Sequence, residues 1–278
     1  MIRLGAQVSQ ARGYETTIRE AGDAGLRSLQ LFSRNPVGGQ SRTLPKAGQL
    51  RPVLREAGIA VLYIHAPYFV NPAATDPAML DRARQALKQE MRRAKRLSAD
   101  YVVLHAGHWQ QAGRRAESVQ AFVGTVVAML EAPGRVLVEN SAGQGKELGG
   151  DLDELEEIFR GIGRTRRVGL MLDTAHAMAQ GYALTTADDA DAFLEAVDRK
   201  VGLDRVSGIH LNDSLYPVGS HRDRHAHLLT GALGLPALKR LVAWADQTDC
   251  PLVLETPGRD VAQRQDDILV IRELHQGD

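Results

Sequence analysis

The chain has 278 residues with 34 basic and 34 acidic side chains, so its formal net charge is zero and no overall positive field indicates a nucleic-acid partner. The hydrophobic fraction of 44% is that of an ordinary globular protein, and the single cysteine, Cys250, excludes an internal disulfide and a cysteine-based zinc finger. The sequence shows no apolar signal core and no run long enough to span a membrane. We therefore expect a cytoplasmic protein with no membrane partner.

Eight short apolar runs alternate with amphipathic segments that have a helical period. The runs are 2–8, 28–33, 61–66, 101–107, 135–140, 168–176, 205–213 and 251–258. Such alternation predicts parallel strands joined by helices, and runs that are apolar on both faces are typical of strands buried on both sides. The predicted fold class is therefore α/β, a single-domain (β/α)8 TIM barrel over residues 1–278. An open doubly wound sheet is the alternative.

Two basic runs stand out on the segments between the predicted strands. The first contains Arg92, Arg93, Lys95 and Arg96, and the second contains Arg164, Arg166 and Arg167. We expect both to be solvated surface, with a local nucleic-acid patch as the alternative.

Six of the eight apolar runs carry a histidine or a carboxylate, in most cases at or near the carboxyl end. These residues are His65, His105, Glu139, Asp173, His210 and Glu255; His176 follows three residues after Asp173, and Asp223 and His225 lie in the loop after the seventh run. In a barrel the carboxyl ends of all strands meet at one rim, where the catalytic residues of this fold lie. The nine side chains are therefore predicted to converge.

Four carboxylates at one rim would repel each other or take up protons unless cations neutralise them. Imidazole and carboxylate donors without thiolate suit zinc, with manganese or iron as alternatives. At about four ligands per zinc, nine donors suit two or three ions rather than one. Clustered divalent cations favour hydrolysis of a phosphate ester.

Seven motifs around these donors point to one family. They are HAPYFVN (65–71), LHAG (104–107), VENSAGQGKELG (138–149), GLMLDTAHAMAQGY (169–182), HLNDS (210–214), GSHRDRH (219–225) and LVLETPG (252–258). With these motifs the chain resembles the endonuclease IV family, the zinc-dependent apurinic/apyrimidinic endonucleases, over essentially its full length.

The resemblance implies a cluster of about three zinc ions. It assigns His65 and His105 to the first ion, with Glu139 bridging the first and second ions. Asp173, His210 and Glu255 would complete the second site, and the third ion would be held by His176, Asp223 and His225. Glu139 would also be catalytic, by helping to orient the hydroxide that attacks phosphorus. His108, His221 and His227 are left over as supporting or surface residues.

The activity that the resemblance implies is hydrolysis of the DNA backbone 5′ to an abasic site, with removal of 3′-blocking groups as a second activity. The partner would be double-stranded DNA with abasic sites, contacted by Tyr68, Asn35 and Arg224. We expect a monomer without a protein partner, located in the nucleoid-associated cytoplasm of a bacterial-type cell.

The chain departs from the family pattern outside the nine donors. Gln7 replaces the usual histidine of the first strand, and Leu215 stands where a lysine is common. The loop NPVGGQSR (35–42) has Val37 where an arginine is usual and lacks the usual tryptophan, and AHLLTGALG (226–234) keeps only part of a glycine pattern. These changes predict intact chemistry and altered DNA reading.

Two alternatives stay open at this point. The first is a metal-dependent sugar isomerase or epimerase of the same barrel superfamily, which needs only one or two metals. The second is a barrel that binds metal without catalysis. A third metal site at His176, Asp223 and His225 would favour the nuclease.

Overall fold

The computed structural model describes residues 2–35, 43–111 and 113–276. Eight parallel strands close into a barrel in the order β1, β2, β3, β4, β5, β6, β7 and β10, with β10 hydrogen-bonded to β1. The barrel strands are β1 (Leu4–Gln7), β2 (Ser28–Phe32), β3 (Val61–His65), β4 (Tyr101–His105), β5 (Val136–Glu139), β6 (Val168–Asp173), β7 (Val206–His210) and β10 (Leu252–Leu254). A separate antiparallel ribbon pairs β8 (Asp213–Ser214) with β9 (His225–Ala226).

Helices surround this barrel. They are α1 (Tyr14–Asp23), α2 (Leu50–Glu56), α3 (Pro77–Leu97), α4 (Arg115–Met129), α5 (Leu152–Ile162), α6 (Thr174–Gln180), α7 (Ala187–Lys200), α8 (Leu235–Gln247) and α9 (Gln265–Gln276). Local sequence fixes several of their starts: Asp76 accepts a hydrogen bond from Met79 N at the start of α3, and Thr186 with Asp189 forms a capping box on α7. Within the described residues no helix is both long and apolar enough to cross a membrane.

The closed parallel sheet confirms the predicted TIM barrel and excludes the open doubly wound alternative. All eight predicted runs contain a barrel strand, and each run continues past the end of its strand, by three or four residues in the runs 168–176, 205–213 and 251–258. The run 168–176 stops being a strand at Asp173 because its side chain accepts a hydrogen bond from His176 N and begins α6 there. The run 205–213 likewise leaves the barrel after His210 and turns into the ribbon. The extent of the domain, residues 1–278, stays a prediction.

An apolar plug fills the lower part of the barrel and places the polar side chains above it. The plug is formed by Val61, Tyr63, Val103, Leu137, Met171 and Val253. Side chains two residues apart on a strand point to the same face. Five of the predicted donors lie two residues after a plug residue, as Glu139 follows Leu137 and Asp173 follows Met171. They therefore enter the barrel one layer higher, at the carboxyl-terminal rim.

Gly208 leaves room for this plug beneath His210. A Cβ atom at Gly208 would lie 2.9 Å from Met171 Cε and 3.0 Å from the Tyr63 hydroxyl. A larger residue would therefore displace the plug, and the layer of donors above it, by several tenths of an ångström.

Candidate metal centre

The strand register brings the predicted donors to one level of the rim. His105 lies opposite Glu139 on the neighbouring strand, and Asp173 lies opposite His210. Each of these four residues is the last of its strand. His65 ends β3, and Glu255 directly follows β10. In the structure all six strand-end donors, His210 included, thus lie at carboxyl ends, as the barrel geometry requires.

The first group of donors surrounds one oxygen of Glu139. Glu139 Oε2 lies 3.1 Å from His65 Nε2 and 3.4 Å from His105 Nε2. His65 Nδ1 lies 2.8 Å from the Ala66 carbonyl and donates to it, which leaves Nε2 as the nitrogen that faces the group. The three side chains offer ligand atoms that all lie within 4.8 Å of one another.

The second group uses the other oxygen of the same carboxylate. His210 Nδ1 lies 2.7 Å from Glu139 Oε1, 3.3 Å from Glu255 Oε2 and 3.9 Å from Asp173 Oδ2. These four residues again offer ligand atoms within 4.8 Å of one another. Glu139 therefore faces two separate groups, one with each oxygen, as a bridging carboxylate would.

The third group lies nearer the surface, beside the ribbon. His176 Nε2 lies 3.3 Å from Asp223 Oδ1, and His225 Nε2 lies 3.5 Å from the same oxygen. Asp173 Oδ2 is 3.6 Å from His225 Nε2, so Asp173 stands between the second and third groups. The resemblance had placed Asp173 in the second group alone. Asp223 is the most accessible of these acids, with a side chain 42% exposed.

The pocket holds these side chains in place with buried amides that sequence reasoning missed. Gln30 Oε1 accepts a hydrogen bond from His210 Nε2 (2.9 Å), and Gln30 Nε2 donates to Glu255 Oε1 (2.6 Å) and to Gln7. Asn212 Nδ2 donates to Asp173 Oδ2 (2.7 Å). Gln30 interrupts an otherwise apolar run, and this interruption is the signal in the sequence that could have identified it. Gln7, the departure in the first strand, is linked to the donors through Gln30.

Charges inside the pocket are strongly coupled. Burial raises the pKa of Glu139, but the imidazoles of His105 and His210 outweigh that effect and hold the pKa well below its ordinary value. Burial lowers the pKa of His210, yet the carboxylates of Glu255 and Glu139 raise it to about 9. Burial lowers the pKa of His105 to about 4, so this ring is neutral at pH 7 and can act as a ligand.

The donor set fits divalent cations. Two ligands of a tetrahedral zinc ion with bonds of about 2.05 Å are about 3.3 Å apart, and the separations between donor atoms in the three groups, 2.7–3.9 Å, lie around this value. His225 Nε2 is buried and has no hydrogen-bond partner among the described residues, although it points at Asp173 and Asp223. A buried ring nitrogen requires a partner, and a bound cation would be that partner.

The outer edge of the pocket is exposed and partly aromatic. Tyr68 is 57% exposed, with its ring centroid 5.3 Å from that of His65, and the adjacent Phe69 is 50% exposed. Leu215 is 59% exposed and donates its backbone N–H to the Arg224 carbonyl on the ribbon. Of the predicted DNA contacts, Tyr68 and Arg224 lie at this edge, and Asn35 is exposed after β2. Val37 and the rest of 36–42 lie outside the described residues.

The remaining histidines lie outside the three groups. His227 Nδ1 pairs with Asp267 Oδ2 at 2.8 Å, away from the donors. His221 is exposed in a left-handed conformation, and His108 forms a backbone bridge with Glu147. Asp213, in the same histidine-rich segment, accepts hydrogen bonds from Gly231 and Leu233 backbone N–H groups and thereby shapes the loop.

Comparison with known proteins identifies the class to which this chain belongs. A family profile described as "Xylose isomerase-like TIM barrel" matches residues 18–274, which defines the class of protein. The probable endonuclease 4 of Methanoculleus marisnigri is 35% identical over 280 residues, covering 99% of each chain. That of Moorella thermoacetica is 35% identical over 283 residues, covering 98% of this chain and 99% of its own.

Solved structures agree with these sequence relatives. The crystal structure of endonuclease IV from Thermus thermophilus superposes with a TM-score of 0.85 at 32% identity, covering 99% of this chain and 100% of that one. A D-tagatose 3-epimerase-like protein superposes with a TM-score of 0.75 at 15% identity, which is agreement of fold alone. The chain therefore belongs to the endonuclease 4 family of xylose isomerase-like barrels, and the resemblance found in the sequence is confirmed.

Proposed function

We propose that this protein is a metal-dependent phosphodiesterase that cleaves DNA 5′ to apurinic and apyrimidinic sites. The products would be a 3′-hydroxyl and a 5′-deoxyribose phosphate, with removal of 3′-blocking groups as a second activity. The observation that carries the proposal is Glu139, whose two oxygens face two separate groups of donors in a buried pocket. The names of its relatives, endonuclease 4 and endonuclease IV, support DNA as the substrate.

The proposed cofactor is about three zinc ions per chain, with manganese or iron as alternatives at one site. His65, His105 and Glu139 would hold the first ion, and Glu139, Asp173, His210 and Glu255 the second. His176, Asp223 and His225 would hold the third, with Asp173 within reach of it. Several bound cations would neutralise the four carboxylates, which explains how four acids can stay close together in a buried pocket.

Bound divalent cations would bring the pKa of a water close to neutrality and withdraw charge from the phosphoryl oxygens. The residues of the chain contribute orientation. Glu139 would align the attacking water by accepting its hydrogen bond, because its carboxylate lies at the centre of the pocket. Gln30 and Asn212 hold Glu255 and Asp173 in one orientation, which avoids reorganisation during the reaction.

The exposed edge would select the substrate. An abasic nucleotide leaves its stack at low cost, and the cavity of about 200 Å³ that Tyr68 lines would exclude a nucleotide that carries a base. Tyr68 and Phe69 offer rings on which the neighbouring bases can stack, with Arg224 and Asn35 as further proposed DNA contacts. We propose a monomer that acts in the cytoplasm on chromosomal double-stranded DNA.

The sugar isomerase alternative is less well supported. Isomerisation or epimerisation of a small carbohydrate needs one or two metals, and the first two groups of donors would suffice. The third group, at His176, Asp223 and His225, is unused in that chemistry, whereas phosphodiester hydrolysis uses a further cation on the leaving oxygen.

A duplex with one synthetic abasic site tests the proposal, beside the same duplex without the lesion. We expect one cut 5′ to the lesion, and elemental analysis of protein prepared without added metal should give about three transition-metal ions per chain. No cut with metal-saturated protein, or turnover of ketoses instead, would refute the nuclease. Full activity at a reproducible stoichiometry of one or below would refute the three-metal arrangement.

A further inference from the structure

The amino-terminal rim of the barrel, opposite the metal centre, carries a cavity of about 710 Å³. It lies at the starts of β5, β6 and β7, so it shares no residue with the donors. Its charged lining is Arg135, Arg164, Arg166, Arg167, Arg205 and Asp204. A second cavity of about 560 Å³ adjoins it at Tyr101 and Arg135 and adds Arg51, Arg55, Lys95 and Asp100. We call the two adjoining cavities the basic groove.

The charge of the basic groove contrasts with that of the whole chain. Its lining contains eight basic residues and two acidic ones, whereas the chain as a whole has a formal net charge of zero. Asp204 faces Arg164 at 3.8 Å with both side chains mostly exposed, so this pair neutralises little. The excess positive charge therefore stays uncompensated.

Several of these guanidinium groups are fixed in place. Arg167 donates to the backbone carbonyls of Leu130, Ala132 and Gly134, which makes it a rigid part of the wall. Arg135 donates to the Tyr101 hydroxyl at 3.0 Å. Pre-ordered guanidinium groups lose little conformational entropy when they bind an anion.

Arg205 supplies an independent sign of a ligand. Its guanidinium carbon lies 5.2 Å from the centroid of the buried Phe159 ring, and its Nη1 atom is buried without a hydrogen-bond partner among the described residues. A buried charged donor without an acceptor costs free energy. Arg166, by contrast, is exposed and forms no ion pair or hydrogen bond with another described residue. Arg166 is therefore available to the oxygens of an anion, and Arg205 Nη1 still lacks the acceptor that a buried donor requires.

We propose that the basic groove binds the phosphodiester backbone of a nucleic acid, as a second contact on the face opposite the metal centre. This inference rests on the proposed function, since it takes DNA as the substrate at the carboxyl-terminal rim. Phosphate oxygens match the fork of donors on arginine. Two adjoining cavities with eight basic residues suit an extended polyanion better than one small phosphate.

The groove offers little that could read a base. The ring of Tyr101, the one aromatic residue that lines it in the described chain, is already stacked on Tyr63 at 5.5 Å and covered by Arg135 at 5.2 Å. Binding would therefore be sequence-independent. With DNA on both faces, one molecule could hold two DNA segments and pass between them without dissociating into solution.

The test compares two double variants with the same change in charge. Arg164→Glu with Arg166→Glu alters the groove, and Arg92→Glu with Arg199→Glu is the control; all four side chains are exposed, and the control pair lies outside the groove. The measurements are capture of a fluorescent intact duplex by protein bound to a bead-tethered duplex, the salt dependence of binding to one intact duplex, and cleavage of a short abasic duplex.

We expect the groove variant to lose bridging of the two duplexes by about tenfold or more, while the control variant bridges as the unaltered protein does. The slope of log K against log salt should fall by about 2 in the groove variant, one for each lost phosphate contact. Cleavage of the short abasic duplex should stay within about twofold, because the metal centre is untouched.

Several results would overturn the inference. They are absence of bridging by the unaltered protein, bridging retained by the groove variant, and equal loss in the control. Competition by pyrophosphate or polyglutamate as effective as that by DNA would assign the groove to small phosphates or to any polyanion. If the unaltered protein bridged intact duplexes through the groove yet cut no abasic duplex, the groove would stand and the proposed function would fall.

Discussion

The inside of the donor pocket and its outer edge are constructed in different ways. Inside, His65, Glu139, Asp173 and His210 are at most 1% exposed, and each is held by a buried hydrogen-bond partner. At the edge, Tyr68 and Leu215 have more than half of their surface exposed. The inside is therefore determined by the chain's own packing, whereas the edge presents exposed surface that a substrate can contact. A change at Leu215 can alter recognition without disturbing the donors.

The largest expected effect is at the centre of the pocket. Glu139→Gln keeps the shape of the side chain but removes the charge that faces both donor groups, so the single-turnover cleavage rate should fall by about 10³-fold or more. Binding to the duplex should change by less than about threefold, because phosphate contacts elsewhere carry most of the affinity. Glu117→Gln, on the exposed surface of α4, is the matched control. A rate within tenfold of the unaltered protein would remove Glu139 from its catalytic role.

A smaller effect is expected one layer behind the donors. Gln30→Leu removes the hydrogen bonds to His210, Glu255 and Gln7, so the affinity for metal should fall by about 10- to 100-fold. Titration with a chelator measures this directly, without reference to activity. Gln85→Leu on the exposed face of α3 should leave the affinity unchanged. Unaltered retention of all metal in Gln30→Leu would show that the pocket orders itself without this amide.

A substitution that concerns DNA recognition should change the affinity for DNA rather than the rate of the chemical step. Val37→Arg, in the loop outside the described residues, should tighten binding to an abasic duplex by about tenfold, because an inserted side chain offsets the cost of unstacking. The turnover number should change less, since the donors are untouched. Titrations of abasic and intact duplexes at one salt concentration decide the outcome. Equal gains for both duplexes would make the arginine a general phosphate anchor, and no gain would assign the opening of the lesion to another segment, such as that of Tyr68.

The smallest expected effect is at the ribbon. Leu215→Lys adds a positive charge beside Arg224 and should strengthen binding to both duplexes by about threefold at low salt, with the gain lost at high salt. Leu215→Gln removes the apolar side chain without adding a charge, so it distinguishes the effect of the charge from that of the lost apolar contact. Weaker binding in both variants would instead identify Leu215 as an apolar contact with the DNA.

Much of the inner pocket could be predicted from the sequence because strand geometry is local. Donors such as Glu139 and Asp173 end apolar runs, and a closed parallel barrel necessarily brings those ends together. The structure brings together all nine predicted donors; their role as metal ligands stays a prediction. The convergence of His225 and Asp223 is harder to predict, since both lie in a long segment after β7 and no end of a barrel strand fixes their position.

The rest of the site depends on contacts that no local pattern contains. Gln30 meets His210 across 180 positions of sequence, and Asn212, in the segment after β7, meets Asp173 at the end of β6. The interruption of an apolar run by Gln30 shows only that a polar residue lies there, and the partners of both amides are set when the barrel closes and buries them. The basic groove is similar: Arg135 and Arg205 belong to different connections, and for the run at Arg164 the sequence favours solvated surface, with a nucleic-acid patch as the alternative.

The closure of β10 between β7 and β1 has a consequence for biosynthesis. Glu255 follows the last strand of the barrel, whereas His65 ends the third, so the second group of donors cannot assemble until almost the whole barrel has been synthesised. An emerging chain would expose His65, His105 and Glu139 first, and only a finished barrel would retain a full complement of ions. Metal uptake would then act as a checkpoint on completed folding, and truncated chains would leave the ribosome without the means to cut DNA.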